Sequence, residues 1–157
     1  MEARDLREAL SRLAAGVALL STREEQGFRG LTVTSLTSLS LQPPLILACL
    51  DLESQTRQLI RTHAAFNVSI FGRQHDFLAE RFSGRAPAVS RGWDGVAHRL
   101  GGNGLPILQD AIGWLECAVE VVHPGGDHEI VVGRVHAAGA GPGDPLVLWD
   151  RAFWTIG

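Results

Sequence analysis

The sequence contains no lysine; all 14 of its basic residues are arginine. That bias is compositional, but guanidinium groups also suit phosphate recognition and ion-pair networks. Cysteine is scarce. Cys49 and Cys117 each sit inside an apolar run, ILACLD and WLECAVEV. Both read as buried thiols, and a disulfide framework is excluded. No apolar run approaches the roughly 20 residues that a membrane span needs. No basic patch stands out, and the net charge is −3. Nucleic acid and anionic membrane surfaces are therefore not expected partners. The first residues, MEARDLREAL, are charged and amphipathic, unlike a secretory leader. A cytoplasmic chain is expected. With 157 residues, 45% of them hydrophobic, a single domain over 1–157 can bury its own core.

Several catalytic signatures are missing too. There is no GxGxxG opening a helix, no GxxxxGK[ST] phosphate loop and no GxSxG nucleophile turn. His123 and His128 lie near Asp127 and Glu129, but no further ligand stands at a fixed spacing, so no metal site is expected.

What is present is mostly strand. Leu6, Leu10 and Leu13 recur at helical spacing, which predicts a helix over 3–15 stopped at Gly16. Val17–Thr22 reads as a strand. Residues 28–41, FRGLTVTSLTSLSL, have a rough period of two and predict a strand extended by a Ser/Thr-rich loop. Leu45–Leu50 is a continuous apolar run, which predicts a strand buried on both faces. Ser54 fits the N-cap of a short helix over 54–63. Ala65–Phe71 reads as a strand and Arg73–Phe82 as a helix with Phe77, Leu78 and Phe82 on its apolar side. Residues 83–106 hold six glycines and two prolines and read as a long excursion. From 112 to 138 the alternation predicts a long hairpin around Pro124-Gly125-Gly126-Asp127. It places Leu115, Cys117, Val119 and Val121 on one face and Glu116 and Glu120 on the other. Two short strands close the chain. Seven or eight strands without strand–helix alternation argue for an antiparallel barrel with short peripheral helices.

Three features stand apart. Gly30-Leu31-Thr32-Val33-Thr34-Ser35, followed by Ser38-Leu39-Ser40, places small hydroxyls at alternate positions, which suits a flat polar heterocycle as well as an ordinary solvent-facing strand. Asp51 to Thr56 opens a helix where free N–H groups, Ser54, Thr56 and Arg57 can meet an anion. Gly126-Asp127-His128-Glu129 sets a histidine beside two carboxylates at a hairpin tip.

Taken in order, GLTVTSLTSLSLQPPLILACLDLESQT, FNVSIF, Phe82-Ser83-Gly84-Arg85, the run from Trp114 to Cys117, Gly126 to Val135 and the closing Asp144 to Trp154 resemble the flavin reductase-like, flavin-binding split-barrel family. The likeness is strongest to the reductase components of two-component aromatic hydroxylases, such as those acting on 4-hydroxyphenylacetate and phenol. The resemblance implies a mainly β, antiparallel split barrel of Greek-key type. It implies an NAD(P)H:flavin oxidoreductase that binds FMN or FAD, forms a homodimer and supplies reduced flavin to a partner monooxygenase. It places Thr32, Val33, Thr34 and Ser35 along the ring and ribityl chain, and gives the ring backbone groups from Ser38 and Leu39. Cys49, Leu50 and Asp51 would flank the flavin, Ser54 and Thr56 would hold its phosphate, and Phe82 and Arg85 would cover it. Phe153 would close the site and His128 would face the nicotinamide as the catalytic candidate. Family members often carry Tyr-Arg where this chain has Phe153-Trp154, so a phenolic hydroxyl is absent there. A flavin-binding protein without reductase activity and a relative of the pyridoxamine-phosphate oxidases are the competing readings, although the basic cluster the latter would need is missing.

Overall fold

A computed structural model describes residues 1–84 and 92–157. Among them are three short helices, α1 (Ala3–Leu10), α2 (Gln55–His63) and α3 (Asp76–Arg81), and twelve strands. Seven strands form one antiparallel sheet in the order β3 (Gly27–Val33), β2 (Ala18–Glu24), β6 (Ala65–Ile70), β9 (Gly113–Gly125), β10 (His128–Ala140), β5 (Pro44–Asp51) and β4 (Thr37–Leu41). A three-stranded sheet pairs β1 (Ala15–Gly16), β11 (Leu146–Trp149) and β12 (Ala152–Thr155). A third pairs β7 (His98–Leu100) with β8 (Pro106–Leu108).

The connection between β3 and β4 fixes the shape of the large sheet. These strands lie at opposite edges, yet only residues 34–36 join them. Laid flat, seven strands span about 29 Å between edges. The connector reaches at most about 14 Å. The sheet must therefore roll until its edges nearly meet, leaving a seam between them. Ser35 fastens that seam: its hydroxyl accepts from the Cys49 N–H and donates to the Cys49 carbonyl, both at 3.0 Å.

Rolling gives the sheet an inside and an outside. Inside, Leu20, Val33, Ala48, Leu50, Phe66, Val68, Cys117 and Val131 form the main core, closed by Ile60 of α2. Phe66 fits because Gly133 carries no side chain; a Cβ there would come within 2.6 Å of the ring. Burial pushes the Cys117 thiol up to about 12, with the Glu116 charge adding to the effect. Outside, Val17, Leu19, Phe71, Phe82, Trp93, Val96 and Leu108 make a second core under α3 and the β7–β8 segment.

Several expectations are corrected. The first helix ends at Leu10, and Leu6, Leu10 and Leu13 are all exposed, because nothing among the described residues packs on that face. Ala15-Gly16 is not a helix stop but a strand pairing with Val147 and Leu148. The strand buried on both faces is β2, which lies between the two cores, not 45–50; on β5 only Ile46, Ala48 and Leu50 are fully buried. The 73–82 segment begins as a 3-10 turn at Arg73–His75, which rotates Phe77 out to 72% exposure while Phe82 enters the second core. In the long hairpin a bulge at Glu120 inverts the alternation, so Val121 is exposed and Val122 packs inward. Glu116 is buried, not solvent-facing, because the 98–109 segment covers it.

Candidate functional site

The seam carries an open cleft of about 290 Å³, lined by Leu31–Ser35, Cys49–Asp51, Ser54 and His128. Each wall has a separate origin. β3 supplies Thr32 and Val33, the connector supplies Thr34 and Ser35, and β5 ends at Asp51. His128 opens β10 directly opposite Asp51 in the strand pairing.

Many of the hydroxyls in this cleft position the wall. Thr32 donates to the Ala79 carbonyl at 2.7 Å, and its N–H donates to the Phe82 carbonyl at 2.9 Å, which ties β3 to α3. Ser35 is engaged by Cys49. Ser54 caps α2, accepting from the Arg57 N–H at 3.2 Å. Gln55 and Thr56 occupy the first turn of that helix, where N–H groups have no helical partner. Thr56 is 97% buried, since 3% remains exposed, and among the described residues its hydroxyl makes no hydrogen bond. Thr34 is exposed to solvent and likewise unbonded.

At the rim, His128 Nδ1 lies 2.7 Å from Asp127 Oδ1. A carboxylate only accepts, so Nδ1 carries the proton and Nε2 is left without a partner among the described residues. The hydrogen bond from His128, and then its charge, hold the Asp127 carboxyl below the usual carboxylate range. Arg57 is not available to a ligand: it donates to Glu129 at 2.9 Å and to the Leu52 carbonyl at 2.8 Å.

Two further hollows adjoin the cleft. One of about 400 Å³ continues past Ser54 and is lined by Arg29, Gly30, Leu31, Gln55, Thr56 and Phe82, among others. The other, about 540 Å³, opens from Thr32 and Thr34 toward α1 and Phe153. Thr32, Val33, Thr34, Ser35, Cys49, Leu50, Asp51, Ser54 and His128 thus share the cleft, with Thr56 and Phe82 on one side and Phe153 on the other. Ser38 and Leu39 are not brought there. They lie on β4, where Ser38 lines an apolar groove with Leu41, Leu45 and Ile46. Arg85 lies outside the described residues. Arg29 and Gln55, 26 positions apart, meet only through the rolling of the sheet, at 2.9 Å, so no sequence spacing marks them. No cluster of metal-ligating side chains occurs among the described residues.

A family model described as "Flavin reductase like domain" matches residues 10–157. The chain belongs to the flavin reductase-like family. This flavin reductase-like protein is 33% identical to an NADH-dependent flavin reductase from Rhodococcus over 96% of its length and 85% of the relative's. It is also 33% identical to the reductase component of a 4-hydroxyphenylacetate 3-monooxygenase from Thermus thermophilus, covering 94% and 92%. Among solved structures, an NADH:FAD oxidoreductase from Streptomyces globisporus superposes with a TM-score of 0.91 at 30% identity, covering 99% and 95%. A structure of that oxidoreductase holds NAD and FAD fragments.

Proposed function

We infer that this chain is an NADH-dependent flavin reductase that supplies reduced flavin to a separate oxygenase. The observation that carries this reading is the seam cleft, walled by uncharged Thr and Ser side chains and closed at one end by an open helix start. A bound flavin supplies the hydride acceptor and NADH the hydride. The protein's task is then to hold two rings in register and exclude water. This task needs no acid–base dyad.

The residues present fit such a cofactor. The Thr56 hydroxyl, unbonded among the described residues, and the Gln55 and Thr56 N–H groups can donate to a phosphate. Thr32 and Ser35, fixed by their own hydrogen bonds, keep the ring wall rigid, and Thr34 remains to donate. Cys49, half-buried, offers apolar surface to a flat ring, while Val33 and Leu50 turn their side chains into the core and border the cleft with their backbones. Phe82 backs the cleft from α3, and Phe153 borders the side from which a nicotinamide would enter. His128, its Nδ1 held by Asp127, presents Nε2 as an acceptor that orients the carboxamide without moving a proton.

The rolled sheet with an open seam is the split barrel of this reading, and 1–157 is one domain. The chain acts as a homodimer in the cytoplasm. Ser38 and Leu39, on the β4 edge beside an apolar groove, then serve the cleft of a second copy. Steady-state kinetics with NADH and NADPH against FMN, FAD and riboflavin test the reading. Flavin-dependent oxidation of NADH is expected, with light scattering giving twice the chain mass. Protein that neither binds a flavin nor accelerates NADH oxidation overturns it.

A further inference from the structure

We propose that Glu129 is a positioning residue for hydride transfer: it clamps the start of α2 to the tip of the β9–β10 hairpin and so fixes the phosphate anchor relative to His128. The inference rests on the flavin site proposed above and deepens it.

Glu129 is a buried carboxylate that the cleft does not use. It follows His128 on β10, and successive strand positions point to opposite faces. His128 lines the cleft. Glu129, 9% exposed, pairs with Leu50 and turns to α2, whose Ile60 closes the core.

Both oxygens of Glu129 are engaged. Oε2 accepts from Arg57 and Oε1 from Arg61, each at 2.9 Å. Those arginines stand about one turn apart on α2, so one helix face delivers both to the same carboxylate. The Arg57 and Glu129 side chains are largely buried, whereas Arg61 is half exposed. Arg57 also donates to the Leu52 carbonyl at 2.8 Å, while its Nε is buried without a partner among the described residues. Glu129 and Leu52 therefore hold the guanidinium. A backbone tie runs beside them: the Leu52 N–H donates to the Asp127 carbonyl at 3.0 Å. The loop before α2 and its first turn are thus fastened to 127–129 by one backbone bond and one buried ion pair. Removing Glu129 leaves Arg57 as a buried charge without its counterion, which breaks the fastening.

The fastening matters because it joins the two ends of the site. The α2 start anchors the flavin phosphate, which sets how far the ring reaches along the seam. His128 Nε2 orients the nicotinamide. The rings stay in register only if α2 and the hairpin tip keep a constant separation, and a misplacement of about 1 Å can cost about a hundredfold in rate. Riboflavin has no phosphate, so it is not tied to α2 and can follow the tip.

Two measurements on the full-length protein test the proposal. The first is hydrogen exchange without flavin. In Glu129→Gln, exchange at the Leu52 and Arg57 amides should quicken about tenfold, while amides in the middle of β10 keep their rates. The second is steady-state kinetics with NADH, comparing FMN with riboflavin. In the same variant, kcat with FMN should fall about tenfold with KM within about threefold, and kcat with riboflavin should fall less than about threefold. Arg57→Gln should behave likewise, and the double variant should be no worse than either single change within about twofold. Equal losses with FMN and riboflavin overturn the proposal, as do additive losses in the double variant or unchanged exchange at Leu52. Tighter FMN binding with kcat unchanged also overturns it, since Glu129 would then only withhold Arg57 from the phosphate. If Glu129→Gln does not fold, Arg61→Gln removes the half-exposed partner instead. Its loss should be about two- to threefold and confined to FMN, and a loss shared with riboflavin overturns the proposal. Wild-type protein that oxidises NADH with neither flavin has failed the flavin reading itself, and the clamp falls with it.

Discussion

Two polar surfaces of the large sheet differ in how their side chains are satisfied. On the outer face, Ser21, Asn67, Ser69 and Glu116 are buried beneath residues 98–109. Each holds that segment by its backbone: Ser21 donates to the Pro106 carbonyl, Asn67 to the Leu105 carbonyl, the Leu108 N–H donates to Ser69, and the Asn103 N–H donates to Glu116. At the seam, Thr32 and Ser35 are engaged in the same way, but Thr34 and Thr56 are not. Similar side chains thus do two jobs. Where every polar atom has a protein partner, the surface is a seam of the fold. Where hydroxyls are left over beside a cavity, the surface awaits a ligand.

The histidines repeat the contrast. His75, 3% exposed, accepts the Gly72 N–H at Nδ1 and donates from Nε2 to Asp110, so both nitrogens are engaged. His128 donates from Nδ1 and keeps Nε2 open. The same pair of residue types is wired in opposite tautomers, and only one leaves a functional atom facing out.

The strongest test of this contrast is on the sealed side. Asn67→Ala strips partners from the Leu105 carbonyl and from Asn103. It should destabilise the protein by about 2–3 kcal/mol in urea unfolding, as expected for buried polar groups left unmatched. Stability unchanged within about 0.5 kcal/mol would dissolve the distinction. On the open side, Thr56→Val conserves shape and removes a hydroxyl with no protein partner. Stability should hold, while flavin affinity falls about tenfold, or about 1.4 kcal/mol. A loss of stability without a loss of affinity would move Thr56 to the sealed class.

The smallest expected effect is on acid stability. Burial works to raise the Asp110 carboxyl, but hydrogen bonds from His75 and Gln74 outweigh it, and its pKa is lowered. The Asp127 carboxyl is lowered by its bond from His128, Glu8 by its bond from Arg151, and Glu120 by its bond from Arg134. A carboxyl whose pKa is lower in the folded state contributes stability above its unfolded value, near about 4, and loses it as pH falls through the folded value. The melting temperature should therefore be level from neutral pH to about 5 as far as these groups govern it, and fall below about 4. A melting temperature that rises below pH 4 would contradict the assigned directions.

The sequence made some of this legible. Ser54 was readable as a cap because an N-cap is a local event, and the long hairpin because its turn residues are adjacent. The Thr32–Ser35 run announced a polar strand, but not which hydroxyls remain free. That depends on Ala79 and Cys49, far along the chain. Phe77 and Val121 were misplaced because a 3-10 turn and a bulge shift the phase of a periodic pattern without changing its composition. The excursion after residue 83 looked like loop since its glycines mask two short strands, β7 and β8. What holds those strands is a row of side chains on other strands. Arg29 was invisible as a site residue because its neighbours are set by curvature.

Curvature has a further consequence. The cleft is assembled from residues near positions 32, 50, 54 and 128, and these meet where the rolled sheet brings its edges together. Cofactor capture therefore rewards only the finished fold, and the ligand stabilises the native state by mass action rather than any intermediate. Flavin supply during refolding should thus act at the last step, as a ratchet on completed molecules.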